Sequence, residues 1–341
     1  MDQGFQQLAI TLASVVAVVL LSILLVVFWG ALESMGRYGL SFLTTSNWNP
    51  VDDEYGAGAA IYGTLLTSFL ALLVAVPLGV GTAIFITENI IPLRIRNTIG
   101  LMVELLAAIP SVVLGLWAIL VMEPFIRPAL ELLYSKECAP VPITWDGLIH
   151  LGSWTLQLPG FDVVAPNLGC LDLNLFGQSI NLHWLTIFGT IPKGRGMIPA
   201  VLILIVMILP IITAIARDSL NQVPEKLRQA AYGVGTTRWG AIINVILPAA
   251  ISGIVGGVML ALGRAMGETM AVTMIIGNSN NFSLSLLAPG NTIAAMLANQ
   301  FGEADGSQVS SLMYAAFVLI LLTLMVNIIA QWLVKRLSLK Y

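Results

Sequence analysis

Two ionisable residues, Arg264 and Glu268, lie four positions apart within a long, otherwise apolar stretch of the sequence. In a continuous helix this spacing puts both side chains on one face, about 6 Å apart along the axis, so they can pair. A guanidinium presents a planar fork of donors that binds the oxygens of an anion bidentately and does not lose its proton. A neighbouring carboxylate can hold the arginine when no anion is bound and can repel the anion enough for its release.

A charged side chain in the middle of a bilayer costs about 3 kcal/mol, so such residues usually face the interior of a helix bundle and mark a path. Arg264 and Glu268 therefore predict a route for an oxygen-rich anion across the membrane. The alternative is an ion pair that only holds two helices together.

The composition is that of a membrane protein. The 341 residues are 57% hydrophobic and only 10% charged, whereas about one quarter of an ordinary globular domain is charged. The mean hydropathy is +0.91, and uncharged stretches longer than the roughly 20 residues needed to cross a bilayer recur along the chain. A soluble protein is excluded. A net charge of −3 without any basic run argues against nucleic acid as a partner.

Six apolar windows predict six transmembrane helices, at residues 8–32, 55–87, 105–122, 196–216, 239–263 and 306–334. The third helix is expected to extend back through Glu104 to about Asn97. The fifth is expected to continue through Arg264 and Glu268 to about Ile276. The pattern predicts an all-α, polytopic membrane protein that contacts lipid along most of its length.

The distribution of Lys and Arg predicts the orientation. Nine basic residues lie in the short segments on the side of the two termini, whereas the opposite segments hold five, together with twelve acidic residues. By the positive-inside rule, both termini are cytoplasmic. The chain then divides into 1–122 with three spans, an exoplasmic insert at 123–195, and 196–341 with three spans and a cytoplasmic loop at 217–247.

The segment from Val223 to Pro248, at this cytoplasmic loop, carries the signal of a short helix outside the membrane, beginning at Pro224. The charged side chains expected to face water are Glu225, Lys226 and Arg228. Small or apolar side chains recur at helical spacing at Leu227, Ala230, Ala231 and Val234. This pattern favours a helix that docks on a partner, and an amphipathic helix resting on the lipid surface is the alternative.

The same loop resembles the coupling-loop signature of ABC importer permeases, E-A-A-x3-G-x9-I-x-L-P. The matching positions are Gln229, Ala230, Ala231, Gly235, Leu247 and Pro248. In that family the segment is a helix that seats in a groove of a cytoplasmic ATPase. Gln229 replaces the usual Glu, so it keeps a hydrogen-bonding amide but lacks the charge for an ion pair with the ATPase.

Four further stretches, at 41–50, 61–68, 104–117 and 262–278, resemble the permease subunits of the phosphate-specific ABC importer. The resemblance implies the six-helix fold of that permease family and a role as half of the path for inorganic phosphate, with Arg264 and Glu268 in the path. It also implies a second related permease as heterodimer partner, two ATPase subunits, an exoplasmic phosphate-binding protein and a location in the inner (plasma) membrane.

Two alternatives remain open at this stage. The same architecture could carry another oxyanion, such as sulfate or molybdate, or the chain could be an ion-gradient-driven transporter that needs no ATPase. The sequence contains no G-x-x-x-x-G-K-[ST] phosphate-binding loop, so we expect this chain to be no enzyme and to bind no cofactor itself. ATP and Mg are then bound by the partner ATPase. No metal site is expected in the spans.

Cys138 and Cys170 are the only cysteines of the chain, and both lie in the predicted exoplasmic insert. Disulfides persist in that compartment, and closing a loop of about 32 residues would contribute about 3 to 4 kcal/mol in the chain-entropy account. We therefore expect a disulfide that stiffens a platform for the exoplasmic binding protein. The alternatives are two free thiols or a zinc site formed with His150 and His183.

Overall fold

The structure is a computed structural model that describes residues 2–88, 92–134, 141–145, 148–151, 154–157, 161–165, 172–175, 178–181 and 194–337. The helices of the first half are α1 (Asp2–Tyr38), α2 (Ser41–Thr44), α3 (Gly58–Thr87), α4 (Leu93–Ala107), α5 (Ser111–Trp117) and α6 (Glu123–Tyr134). Those of the second half are α7 (Met197–Asn221), α8 (Glu225–Gly233), α9 (Arg238–Ala241), α10 (Leu247–Gly267), α11 (Met270–Ile275), α12 (Ile293–Gln300) and α13 (Ser307–Leu337). Short π-helical segments at Ala118–Met122 and Ile242–Ile246 join α5 to α6 and α9 to α10.

Within the described residues, six helical stretches are long and apolar enough to cross a membrane. They are Gly4–Tyr38, Gly58–Thr87, Ser111–Pro128, Met197–Asn221, Arg238–Gly267 and Ser307–Trp332. The predicted fold class, a polytopic helical membrane protein with six spans, is confirmed.

The helix α7 forms the centre of the bundle because its apolar residues surround the whole helix. Its side chains that are fully buried include Ile203, Leu204, Ile208, Ile212 and Leu220. The helix α3 packs closely along it. A Cβ atom at Gly79 would lie only 2.8 Å from Cγ2 of Ile212, so a residue without a side chain permits this approach of the two backbones.

The first and last spans pack on each other at one side of the bundle, through polar atoms of small residues. The Ser310 hydroxyl donates to the Gly30 carbonyl over 2.9 Å and accepts the Ser34 N–H over 3.1 Å. The Ser34 hydroxyl lies 2.9 Å from that of Ser311. In a bilayer such small polar residues hold helices together because lipid offers no alternative hydrogen-bond partner.

The predicted extensions of the third span back to Asn97 and of the fifth span on to Ile276 are not continuous with those spans, so the prediction was wrong at both places. In the third, Ala108 and Ile109 form a turn before Pro110, which separates α4 from α5 because proline has no N–H to donate to the preceding turn. In the fifth, α10 ends at Gly267, and Glu268 and Thr269 are non-helical before α11 begins.

The predicted exoplasmic insert contains β structure. Three antiparallel strand pairs lie there: β3 (Val141–Trp145) with β6 (Phe161–Ala165), β4 (Leu148–Leu151) with β5 (Trp154–Gln157), and β7 (Asp172–Leu175) with β8 (Gln178–Asn181). A further pair, β1 (Trp48–Asn49) with β2 (Glu54–Tyr55), precedes α3. The Arg195 Nε donates to the Glu123 carboxylate over 3.2 Å, which joins the two ends of the insert.

The predicted disulfide and its alternatives concern residues of the insert that the structure describes only in part. Cys138, Cys170 and His183 lie outside the described residues, and His150 belongs to β4. The disulfide therefore stays a prediction.

Candidate functional site

The break after α10 positions the predicted pair. Glu268 follows the helix in extended conformation, with φ −68° and ψ 120°. Its Oε2 lies 3.7 Å from Nη2 of Arg264, and its Oε1 accepts the N–H of Ala271, in the first turn of α11, over 3.4 Å. The spacing predicted the pairing correctly. Contrary to the prediction, however, the pair forms across the end of a helix and not on one helix face.

The two partners differ sharply in exposure. The Glu268 side chain is 7% exposed, whereas that of Arg264 is 49% exposed. The separation of 3.7 Å exceeds the 2.7 to 3.2 Å usual for a hydrogen bond between nitrogen and oxygen. The pair is therefore loose, and Arg264 can bind another anion without first breaking a short hydrogen bond.

Arg264 also lines a small cavity beside the break in the third span. The cavity has a volume of about 140 Å³. Its lining residues are Leu106, Ala107, Ile109, Leu114, Met207, Ile211 and Arg264. The two interrupted spans thus meet next to the one arginine that the sequence places inside a span.

The short helices that follow the two breaks pack directly on each other. A Cβ atom at Gly115 of α5 would lie 3.1 Å from Cα of Ala271 and 2.6 Å from Sδ of Met274, both in α11. Only glycine permits this contact, because a side chain would displace the backbone of the facing helix. A movement of either short helix therefore alters the surroundings of Arg264.

Arg264 belongs to an exposed stripe along α10. Its members recur every three or four residues and are Ser252, Gly256, Leu260, Arg264 and Gly267. A face that contacts lipid carries large apolar side chains, and a guanidinium there is costly. A stripe with a serine, two glycines and an arginine is typical of a surface covered by another helix or by water. The periodicity of these residues would have revealed the stripe in the sequence.

The face of α10 next to this stripe is closely packed within the chain. Cβ atoms at Gly253 and Gly257 would lie 2.2 Å from Oγ of Ser219 and 2.9 Å from Cβ of Ile215, both in α7. By contrast, a Cβ at Gly263 or Gly267 would meet nothing within 4 Å. The first glycine pair serves packing in this chain, and the second lies on the open face.

The cytoplasmic loop folds as a short helix, α8, with part of the predicted motif exposed. Gln229 and Ala230 are exposed, whereas Ala231 is buried. Gly235 follows the helix with φ +80°, a backbone conformation that glycine adopts without steric cost. Leu247 packs against the cluster of buried side chains that includes Val223 and Ile246.

The exposed surface of this loop is unusually apolar. Five large side chains of the segment 223–248 are exposed: Leu227, Tyr232, Val234 (80% exposed), Trp239 and Ile243. An exposed apolar surface of this kind marks a site of interaction. It supports the docking interpretation of the loop.

Arg228 was expected to face water, and that prediction was wrong. Its side chain is only 15% exposed and is ion-paired with Glu88, which is 11% exposed. A second pair joins Nη1 of Arg217 to Oε1 of Glu104 over 3.0 Å. The two residues of each ion pair are 140 and 113 positions apart in the sequence, respectively, so no local spacing rule could have found either pair.

Among the described residues, no group of three His, Cys, Asp or Glu side chains could hold a metal ion.

Comparison with known proteins identifies the chain's relatives. The sequence model of the family described as "Binding-protein-dependent transport system inner membrane component" matches residues 75–339. The "Phosphate transport system permease protein PstC" of Mesorhizobium japonicum is 39% identical over 96% of this chain and 88% of its own length. The protein of the same description from Pasteurella multocida is 38% identical over 98% of this chain and 92% of its own length.

Solved structures agree on the fold. The crystal structure of a bacterial alginate ABC transporter in complex with a pentasaccharide-bound periplasmic protein contains a similar chain, with a TM-score of 0.52. The similarity covers 95% of this chain and 94% of that one, at 14% sequence identity.

Proposed function

The chain belongs to the family of inner membrane components of binding-protein-dependent transport systems, and we propose that it is a permease subunit of an ATP-driven importer of inorganic phosphate. Relatives described as phosphate transport system permeases match nearly the whole chain at 37 to 39% identity. Neither another oxyanion nor an ion-gradient mechanism is favoured by these relatives. The chain is a multi-pass protein of the inner membrane, with both termini on the cytoplasmic side.

The observation that carries the path assignment is the half-exposed Arg264 on the Ser and Gly stripe, beside two interrupted helices. Its fork suits the tetrahedral oxygens of phosphate. Glu268 competes for the same guanidinium over 3.7 Å. An incoming anion can therefore replace the carboxylate, and the carboxylate can return when the anion leaves, which keeps binding weak enough for transport.

The exposed surfaces suggest where the partners bind. A second, related permease would cover the α10 stripe, so that Arg264 faces a path between two subunits and not lipid. Two ATPase subunits would supply the energy and bind ATP and Mg. One of them would receive the exposed residues of the cytoplasmic loop, including Gln229, Ala230 and Val234. An exoplasmic phosphate-binding protein would deliver the substrate from the side of the insert.

The function is tested by ATP-dependent uptake. The full chain, with its co-purifying partners, is reconstituted in liposomes and supplied with the phosphate-loaded binding protein. We expect labelled phosphate to accumulate only with ATP, and excess sulfate or molybdate not to compete. Accumulation driven by an ion gradient without ATP would reassign the mechanism, and competition by sulfate would reassign the substrate.

The path is tested in the same assay with Arg264→Ala. We expect uptake to fall at least about 100-fold, equal to about 2.7 kcal/mol, because a charge-assisted hydrogen bond to the anion is lost. The matched control is Arg94→Ala, which removes an exposed guanidinium from α4 and should leave uptake within twofold. Normal uptake by the Arg264→Ala complex would assign Arg264 to structure.

A further inference from the structure

The ion pair between Arg228 and Glu88 joins the cytoplasmic loop helix to the membrane bundle. Nη1 of Arg228 donates to Oε1 of Glu88, and Nη2 donates to the carbonyl of Leu220 over 2.7 Å. Glu88 is the residue that ends α3, and Leu220 lies in the last turn of α7. One guanidinium therefore holds the ends of two spans to α8.

Apart from this pair, α8 is weakly held within the described part of the chain. Of its nine residues, Ala231 alone is buried. An open cleft of about 840 Å³ separates parts of the loop from the bundle, and Glu88, Arg228, Tyr232 and Arg238 are among its lining residues. Apolar packing therefore contributes little to fixing α8, and most of the connection to α3 depends on the ion pair.

Glu88 is a carboxylate at the carboxyl end of α3. The carboxyl end of a helix carries a partial negative charge, so a carboxylate is unfavourable there. Glu88 stands at that end of α3 and is nevertheless only 11% exposed. The charge of Arg228 offsets both the unfavourable dipole and the loss of water. The Glu88 carboxylate is therefore stable at this position only while it is paired with Arg228.

The connection continues from the pair to the anion site. Leu220 and Ile211 belong to the same helix, α7, and Ile211 lines the cavity at Arg264. Nine residues at a rise of about 1.5 Å place the two about 14 Å apart. The helix α3 follows the movement of α7, because Gly79 fits against Ile212 without room for a side chain.

We propose that Glu88 and Arg228 are positioning residues that form the joint through which a displacement of α8 reaches α3 and α7, and through them the surroundings of Arg264. The inference rests on the proposed function, since a partner ATPase supplies the displacement. The pair of Glu88 and Arg228 thereby connects the docking surface on α8 with the anion path at Arg264.

The joint is tested by the number of phosphate ions imported per ATP hydrolysed, measured on the reconstituted complex with Glu88→Gln. We expect the ratio to fall at least tenfold while the partners still co-purify, because α8 then moves without displacing the spans. The matched control is Glu33→Gln, the same chemical change at an exposed residue of α1, which lies outside the docking loop and should leave the ratio within twofold.

The double variant Glu88→Gln, Arg228→Gln tests whether the two residues act as a unit. We expect its ratio to equal that of the single variant Arg228→Gln within twofold, since Arg228→Gln already removes both hydrogen bonds of the guanidinium and leaves Glu88 without a pair to lose. Independent, multiplying losses would overturn the proposal. A ratio of phosphate to ATP that stays at the wild-type value in every variant would also overturn the proposal. Loss of the partner subunits from the variant complexes would overturn it too, because the pair would then have only a structural role.

Hydrogen exchange provides a readout that needs no transport. In the purified complex, Glu88→Gln should accelerate exchange of the α8 amides at least tenfold and leave the middle of α7 unchanged. Unchanged exchange in α8 would contradict the joint. If the wild-type complex fails to import phosphate with ATP, the proposed function fails instead, whatever the exchange of α8 shows.

Discussion

Two ion pairs of this chain, Arg264 with Glu268 and Arg228 with Glu88, are built in opposite ways. In the first, the arginine is 49% exposed and lies 3.7 Å from its carboxylate. In the second, both side chains are largely buried, at 15% and 11% exposure, and the guanidinium also donates to a backbone carbonyl. In the first pair the arginine already reaches solvent and can exchange its carboxylate for another anion, whereas breaking the second pair leaves two largely buried charges without a partner.

This difference separates two tasks of a transport subunit. A group that binds a passing anion has to exchange partners in each cycle, so a loose and accessible pair suits it. A group that transmits movement has to keep its partner throughout the cycle, so a tight and shielded pair suits it. The chemical types are identical, and the surrounding helices decide which task each pair can perform.

The largest expected effect concerns stability at the buried pair. Arg228→Met removes the charge that compensates Glu88 and should lower the free energy of unfolding by about 3 kcal/mol, the lower end for buried pairs, since both side chains keep some exposure. Arg264→Met should cost less, because its pair with Glu268 is longer, at 3.7 Å, and its guanidinium is already half exposed. The measurement is thermal unfolding of both purified variants. Equal losses would remove the distinction between the pairs.

The next effect concerns the geometry of the exposed arginine. Arg264→Lys keeps the charge but not the planar fork, and we expect uptake to fall about 30-fold, equal to about 2 kcal/mol. The readout is phosphate uptake by liposomes at equal amounts of assembled complex. Uptake close to wild type would mean that a point charge suffices and that bidentate binding plays no part.

A smaller effect is expected for the carboxylate of the loose pair. Glu268→Gln keeps an acceptor for the Ala271 N–H but no longer competes with phosphate for Arg264. We expect turnover to slow about tenfold, about 1.4 kcal/mol, because the anion leaves more slowly. Single-turnover release of labelled phosphate measures this step. Faster release than in the wild type would contradict the competing role.

The smallest effect is expected at the end of the loop helix. Gly235 has φ +80°, and a Cβ there would meet nothing within 4 Å, so Gly235→Ala carries only the backbone cost of about 1 kcal/mol. Gly235→Asn should cost less, because asparagine tolerates this conformation. Co-purification of the ATPase and its hydrolysis rate are the readouts. If Asn is worse than Ala, bulk at the docking surface matters more than backbone conformation.

Much of the fold could be predicted from the sequence because each span carries its own signal. A stretch of about 20 apolar residues crosses a bilayer whatever its neighbours are. The pairing of Arg264 with Glu268 could also be predicted, because four positions bring two side chains together in or beside a helix. Both inferences use information contained in a short window of the chain.

The interruptions of the helices were harder to predict from the sequence. Pro110 indicated a kink or break in the third span. A proline can also remain inside a helix, however, as Pro77 and Pro210 do here. Nothing of the kind marks the end of α10, where Gly267 and Glu268 follow a regular apolar pattern. At the break Glu268 contacts both Arg264 and the N–H of Ala271, and a hydropathy pattern does not contain such contacts.

The sequence by itself determined that this chain spans a membrane six times, which loop resembles the coupling loop of ABC permeases and which arginine lies within a span. Those properties depend on local composition, since the bilayer acts on each segment separately. Only the tertiary structure decided that Arg264 is half exposed beside two helix breaks and that Arg228 is shielded by Glu88. Exposure and partner choice depend on which distant segments come together, and the packing of α3, α7 and α10 fixes that arrangement.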